Sequence, residues 1–361
     1  MHIIDKYILK RYLATFIVML VLFIPIGIVI DVSEKVNKML QNEVPFSKIA
    51  IYYFDFTVYF ANLLFPIFLF LSVIWFTSKL ANNTEIIAIL SSGISFTRFL
   101  RPYIIGASIV SVFSLLMGFF LVPKASEGFN NFRYMYLKGN GRNAMRQSAD
   151  VFRQVDDKTY IYVGSFNQES KVAHGFSLEK FKEDNTLDFK ISATRIKWNE
   201  KDSSYTMFGY TKRTIGALDD KLEILPKKDT VFTFDLEDLT PTVYVAETLS
   251  LRELNKFIDK ERERGSSNIN TYLVVLYKKY SIPVSAFILT IIAVAVSSMK
   301  RRGGMGMNLA IGIGLAFTFI FFDKIFGVLA EKSTMPPLLA VWIPNIIFGV
   351  LAIFLLRNAR K

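Results

Sequence analysis

The sequence predicts a polytopic α-helical membrane protein with six transmembrane helices and an inserted all-β domain. Three observations carry that prediction. Six stretches, each of 18 to 24 residues, contain no Asp, Glu, Lys or Arg. They fall into two groups of three, separated by a polar segment of 148 residues, Lys124 to Thr271. Within that segment, short β-branched and aromatic runs alternate with clusters of turn-forming residues.

A helix rises ~1.5 Å per residue and the hydrocarbon core is ~30 Å thick, so roughly 20 apolar residues cross it. The first half, residues 1–123, holds spans Leu13 to Ile30, Phe56 to Ser78 and Pro102 to Pro123. The second half, residues 272–361, holds Tyr280 to Met299, Gly303 to Phe322 and Ser333 to Leu356. Pro25, Pro66, Pro283 and Pro344 fall inside spans, where neighbouring helices tolerate a kink. Gly306, Ala310 and Gly314 make a ladder of small residues on one face of span five. Such a ladder lets helix backbones approach, within the chain or between subunits.

The insert, residues 124–271, reads as strands first and one helix after. Thr159 to Gly164, Lys190 to Trp198, Tyr205 to Arg213 and Thr230 to Asp235 are the expected strands, split by Asp156-Asp157, Glu183-Asp184-Asn185, Asn199 to Asp202 and Leu218-Asp219-Asp220. Short strands at this spacing suggest a sandwich, jelly roll or open barrel. A helix is expected over 250–264. Ser250 and Glu253 form a capping box, and Gly265 is the stop. Leu251, Leu254, Phe257 and Ile258 share one face, to pack under the β domain or to lie on the membrane surface.

Charge placement predicts orientation. Of the 43 basic and 31 acidic residues, the insert holds 24 and 23, so the formal excess of +12 sits almost wholly beside the spans. It is therefore no signal for nucleic acid. The N-terminus, the loop over 79–101, Lys300-Arg301-Arg302 and the tail carry twelve basic residues against two acids, Asp5 and Glu85. By the positive-inside rule both termini are cytoplasmic and the insert lies outside. No small-residue cleavage site follows the first apolar run, so it reads as a span and not as a signal peptide.

Catalytic patterns are missing. The chain has no phosphate-binding loop, no G-x-S-x-G, no H-E-x-x-H and no EF-hand. With no cysteine and two histidines, His2 and His174, no metal or cofactor is expected. Asp55 and the Asp323-Lys324 pair lie at span edges and read as satisfied interfacial groups, not as a proton relay. The loop between spans two and three carries more. Thr84 or Asn83 is placed to cap a short helix over 84–92, with Glu85 in its positive first turn. Ile86, Ile87, Ile89 and Leu90 give that helix apolar surface, and Phe96 to Arg101 reads as a second interfacial piece before Pro102. Glu85 either complements the helix dipole or, on a coupling helix, meets a basic groove of a partner protein.

At these residues the chain resembles the LptF/LptG permeases of Gram-negative inner membranes. Asp5-Lys6-Tyr7-Ile8, Thr84 to Ser95, Ser250 to Leu254 with Arg262 to Gly265, and Asp323 to Gly327 with Met335-Pro336-Pro337 carry the resemblance, which extends over essentially the full length. The end of span five and its Pro-Pro sequel look more like the G subunit. Where G subunits often carry adjacent basic residues after span one, this chain has Lys35 and Lys38 three apart. The resemblance implies a transport subunit with no catalysis of its own and a periplasmic β-jellyroll. It also implies a second permease, two ATPase subunits, a single-span periplasmic acceptor and lipopolysaccharide as cargo. It makes Glu85, Ile86, Ile89, Leu90 and Arg98 the ATPase-coupling candidates. Lys35, Lys38 and Arg133 become candidates for the lipid headgroup; Phe23, Phe68, Phe317, Phe319 and Phe321 become candidates for a cavity lining. Two rival readings, an ion-coupled secondary lipid carrier and an integral-membrane lipid-modifying enzyme, lack midplane charges and a catalytic constellation respectively.

Overall fold

The computed structural model describes residues 3–137, 149–167, 170–199, 204–216, 218–232, 244–266, 268–298, 304–332 and 334–359. Among them, six helices are long and apolar enough to cross a membrane. The chain divides into two compact units. One comprises Met1–Asn37, Pro45–Gly128 and Asn270–Lys361; the other comprises Lys38–Val44 and Phe129–Ile269.

Helices α1 (Ile3–Gln41) and α2 (Phe46–Asn82) extend well beyond their uncharged stretches: Pro25 and Pro66 are accommodated inside them, and the chain turns only at Val44-Pro45 and at Asn83-Thr84. A short α3 (Glu85–Ser91) is followed by α4 (Phe96–Leu116). Pro102 lies inside α4, so the expected separate piece before it belongs to the span itself. The Ser95 hydroxyl accepts the Arg98 N–H at 3.3 Å and starts this helix. α4 continues through a π-helical turn at Met117–Leu121 into α5 (Val122–Phe132) and a second such turn at Arg133–Leu137. Widened turns loosen the backbone ladder. Here Lys279 donates to the Gly118 carbonyl at 3.1 Å.

After the insert come α8 (Ile269–Ser297), α9 (Gly304–Glu331) and α10 (Pro337–Ala359). α2 and α8 form the centre of this unit. In their most apolar windows 56% and 67% of residues are buried, against 6% for α1 and 22% for α9. Leu69, Phe70, Val73 and Ile74 of α2 are enclosed, as are Leu289, Ile292 and Ala293 of α8. Between apolar helices in lipid, close packing and internal hydrogen bonds replace the hydrophobic drive. Gly106 shows the first: a Cβ there would stand 1.5 Å from the Tyr12 hydroxyl, so α1 and α4 meet at bare backbone. Tyr12 shows the second, since it donates to the Tyr103 carbonyl at 3.1 Å while stacking on that ring. The small-residue ladder is not used for packing within the chain. Gly306 and Gly314 have open space around them, whereas Gly312 abuts Ile74 and Ala316 is buried. The contact stripe of α9 is Asn308, Gly312, Ala316 and Phe319, two positions out of phase with the ladder.

Among the described residues of the insert, six strands form one antiparallel sheet in the order β1 to β6. These are β1 (Ala149–Asp156), β2 (Thr159–Asn167), β3 (Val172–Phe181), β4 (Leu187–Asn199), β5 (Ser204–Thr214) and β6 (Lys221–Thr230). Every strand pairs with its sequence neighbour, which is an up-and-down meander. Among the described residues, the Greek-key crossings of a jelly roll do not occur. The expected strand at Thr230–Asp235 is also displaced: Thr230 ends β6, residues 231–232 are not strand, and 233–235 lie outside the described residues. Alternation buries Val151, Ile161, Val163, Phe176, Ile196 and Met207 on one face.

Helix α6 (Val245–Thr248) precedes α7 (Leu251–Glu263), whose capping box is present. Glu253 accepts from the Ser250 N–H at 3.0 Å and from its hydroxyl at 2.7 Å. The Ser250 hydroxyl and then its N–H hold the Glu253 carboxyl below the usual glutamate range. This cap is therefore fully formed above the ordinary glutamate pKa and is lost as pH falls through the lowered one. α7 packs on the β domain. Leu254 and Ile258 are buried, and the Gln154 N–H donates to the Arg264 carbonyl at 2.9 Å. Glu261 is not on the solvated face: it is 1% exposed and lies 3.4 Å from the equally enclosed Arg153 of β1.

Candidate functional site

The N-terminal turns of α1 meet the loop over 83–98, which brings two distant sequence motifs together. Thr84 has φ 59° and breaks α2 from α3, a strained conformation for a β-branched residue and one that clusters at functional sites. Neither Thr84 nor Asn83 caps the backbone as expected. Thr84 donates to the Asn83 carbonyl, while the Asn83 amide donates to Glu85 Oε1 at 3.1 Å. The Tyr7 hydroxyl donates to Glu85 Oε2 at 3.5 Å. Asp5 pairs with Arg98 at 3.7 Å. A cleft between Ile4, Asp5 and Ile8 of α1 and Ile89, Gly93 and Arg98 of the loop lies behind α3.

Glu85 is half-buried and oriented by two neutral donors, so its charge is not spent on a cation within the described residues. The apolar candidates divide. Ile86 is 2% exposed and anchors α3 in the core, with Ile89 and Leu90 packed against the same cluster. Ile86 is thereby corrected from a partner contact to an internal anchor. The outward apolar residue is Ile87, at 54% exposure. Periodicity alone gave no way to choose between the faces of so short a helix.

At the other end of α1, Asp31 is buried and accepts the Tyr52 hydroxyl at 3.1 Å and the Tyr53 hydroxyl at 3.3 Å. Lys35 forms an ion pair with Asp31 and donates to the Tyr52 hydroxyl at 3.2 Å. Lys35 is therefore already neutralised by its own helix, one turn back, which weakens it as a headgroup ligand. Lys38 donates to the Leu137 carbonyl at 3.1 Å, a neutral partner, and forms no ion pair among the described residues. Arg133 is exposed in the π-helical turn. Lys278, a residue sequence reasoning did not single out, bonds Asp323 at 2.9 Å; the partner of Asp323 is thus on α8 and is not its neighbour Lys324.

The five phenylalanines also divide. Phe68 and Phe319 are buried, the first packed on Phe23 with ring centroids 5.2 Å apart, the second edge-on to Phe348 at 5.1 Å. Phe68 lies on the central helix α2 and is a core position of this chain, whereas Phe319, on the contact stripe of α9, lines a cavity between α2, α8, α9 and α10. Phe23, Phe317 and Phe321 are 44%, 69% and 62% exposed. Among the described residues, no group of three or more His, Cys, Asp or Glu is placed to hold a metal.

A family model, "Lipopolysaccharide export system permease LptF/LptG", matches residues 6–358. The chain belongs to the LptF/LptG family. It is a permease of lipopolysaccharide export, a multi-pass inner-membrane protein that works with partner subunits in an ABC transporter. No curated protein matches the chain. The family match includes Tyr7 and the whole loop over 83–98, and it gives no support to a secondary carrier or a lipid-modifying enzyme.

Proposed function

We propose that this LptF/LptG permease, in the role of the G subunit, pairs with a second permease, two ATPase subunits and a single-span periplasmic acceptor. In this reading it takes lipopolysaccharide from the outer leaflet and passes it to the acceptor, with hydrolysis on the ATPase chains and no catalysis of its own. The family match over residues 6–358 carries the reading. The physics agrees with it. Each acyl CH₂ withdrawn from the bilayer costs ~0.8 kcal/mol if exposed to water, so extraction needs both a sheltering apolar cavity and an external energy source. The outward faces of α1 and α9, which carry Phe23, Phe317 and Phe321, are apolar and unclaimed by the chain's own core. They are the surfaces we assign to the cavity and to the second permease.

Residues 1–123 and 272–361 are taken as the membrane halves, with 124–271 periplasmic and with both termini and 79–101 cytoplasmic. The twelve-to-two basic excess supports this orientation. The chain has no native cysteine, so a Ser91→Cys variant gives a clean reporter. An impermeant maleimide should leave it unlabelled in intact spheroplasts and label it after lysis; labelling before lysis overturns the orientation.

Of the headgroup candidates, Lys38 is the one we retain. A basic residue at an anionic surface contributes about 1 kcal/mol. Lys38→Glu should therefore reduce photo-crosslinking of lipopolysaccharide several-fold, while Lys35→Ala, which also frees Asp31, should act chiefly on folding of the α1–α2 corner. Basal ATP hydrolysis should persist in both variants. Equal crosslinking in Lys38→Glu and the parent would remove Lys38 from the site.

A further inference from the structure

One cavity lies inside the unit that holds the spans. It has a volume of about 210 Å³ and opens between α2, α8, α9 and α10. Its wall is apolar for most of its extent, with Leu64 and Ile67 of α2, Ile282 of α8 and Ile320 of α9. Its rim is polar. Lys278 and Asp323, paired at 2.9 Å, line the cavity with Lys324, as does Asn345 of α10. Lys278 lies just before the uncharged run that begins at Tyr280, and Asp323 and Lys324 just after the run that ends at Phe322. This end of the cavity is consequently at headgroup depth.

Two features point to a ligand. The first is charge: the rim carries two lysines and one carboxylate, and the Asp323 carboxylate is already engaged by Lys278. Lys324 is exposed and adds a cation, which fits one phosphate. The second is an orphaned acceptor. Asn345 is 5% exposed, and its amide N–H donates to the Ser281 carbonyl at 3.4 Å, but its Oδ1 is buried without a hydrogen-bond partner. An unmet acceptor in so apolar a place costs ~1–3 kcal/mol, and a donor from a ligand removes that cost.

We infer that this cavity binds one acyl chain of an anionic glycerophospholipid, its phosphate on Lys324 and a headgroup hydroxyl reaching the Asp323 and Asn345 acceptors. Size selects the occupant. An apolar cavity of ~150 Å³ admits a benzene ring, so this one takes a length of a single chain and excludes a bundle of several. A phospholipid seated here wedges between α8 and α9 from the membrane side, separate from the faces assigned to the cargo.

The probe is phosphatidylglycerol with a diazirine near the end of one acyl chain, in nanodiscs holding the full chain with its partners. Photolysis should label residues 63–67 or 282–285, and unlabelled phosphatidylglycerol should compete. Ile282→Trp fills the cavity and should reduce that labelling at least five-fold. Ser285→Leu narrows it independently and should reduce labelling in the same peptides, with an unchanged melting temperature as the check on folding. Lys324→Gln should erase most of any preference for phosphatidylglycerol over phosphatidylcholine. Labelling that survives both filling variants overturns the site. So does competition by lipopolysaccharide in the absence of competition by phosphatidylglycerol, because the occupant is then the cargo.

Discussion

Glu261→Leu should unfold or detach the connecting helix of the β domain at temperatures the parent chain tolerates. Arg153 and Glu261 are each about 1% exposed at the side chain and lie 3.4 Å apart, with Ser266 and the Phe152 carbonyl also contacting the guanidinium. Removing one member leaves a buried charge with reduced compensation, which costs ~3–5 kcal/mol. A domain stable by ~5–15 kcal/mol does not absorb that easily. The expected readout is a lower melting temperature of the β signal in the full-length protein and faster proteolysis near residue 250. Arg153→Met combined with Glu261→Leu removes both charges and fills the space, so it should recover most of the loss. If the double variant is as unstable as the single one, the pair is not the source of the cost, and the Gln154 to Arg264 backbone tether becomes the better explanation.

That pair also marks how far the sequence can be read. Arg153 lies between Val151 and Val155 on the inward phase of β1, so its enclosure is legible in the alternation once that strand, absent from the expected ones, is placed. Its partner was not, because α7 presents eight charged residues over 252–263 and only packing decides which one is enclosed. β2, β4 and β5 were legible as runs of Val, Ile, Tyr, Phe and Thr. β3 is interrupted by Gly175 at positive φ, and β6 is an edge strand carrying Pro226 and three lysines, features that protect an open edge and erase the strand signal. The six spans stood out because length and lack of charge are local properties. The faces of those spans did not, since lipid and protein core are equally apolar; hence Phe68 was taken with Phe23, Phe317 and Phe321. The Lys278 to Asp323 bond joins residues 45 apart, a pairing no local pattern encodes.

Glu85→Ala should leave the permease inserted and folded yet separate it from its ATPase. The side chain contributes nothing to the core, which Ile86 holds from the next position. Its carboxylate is aimed by Tyr7 and Asn83 and meets no cation among the described residues, on a helix whose exposed residues include Ile87 and Ala88. A charge-assisted hydrogen bond at an interface contributes about 1.5–3 kcal/mol, so ATPase affinity should fall about ten- to a hundred-fold. Lipopolysaccharide extraction should fall with it. Glu85→Arg should do worse than Ala, since it sets like charge against a basic partner groove. Tyr7→Phe supplies the intermediate case. It keeps the charge and removes one orienting donor, so it should weaken docking far less than Glu85→Ala. A helix-dipole role for Glu85 predicts another order: Arg and Ala would lower the stability of α3 by less than ~1 kcal/mol, and ATPase recovery would not change. Pull-down of the ATPase with each variant, run beside lipid extraction, separates the two. Unchanged association in Glu85→Arg would return this carboxylate to the dipole and leave coupling to the exposed apolar face of α3.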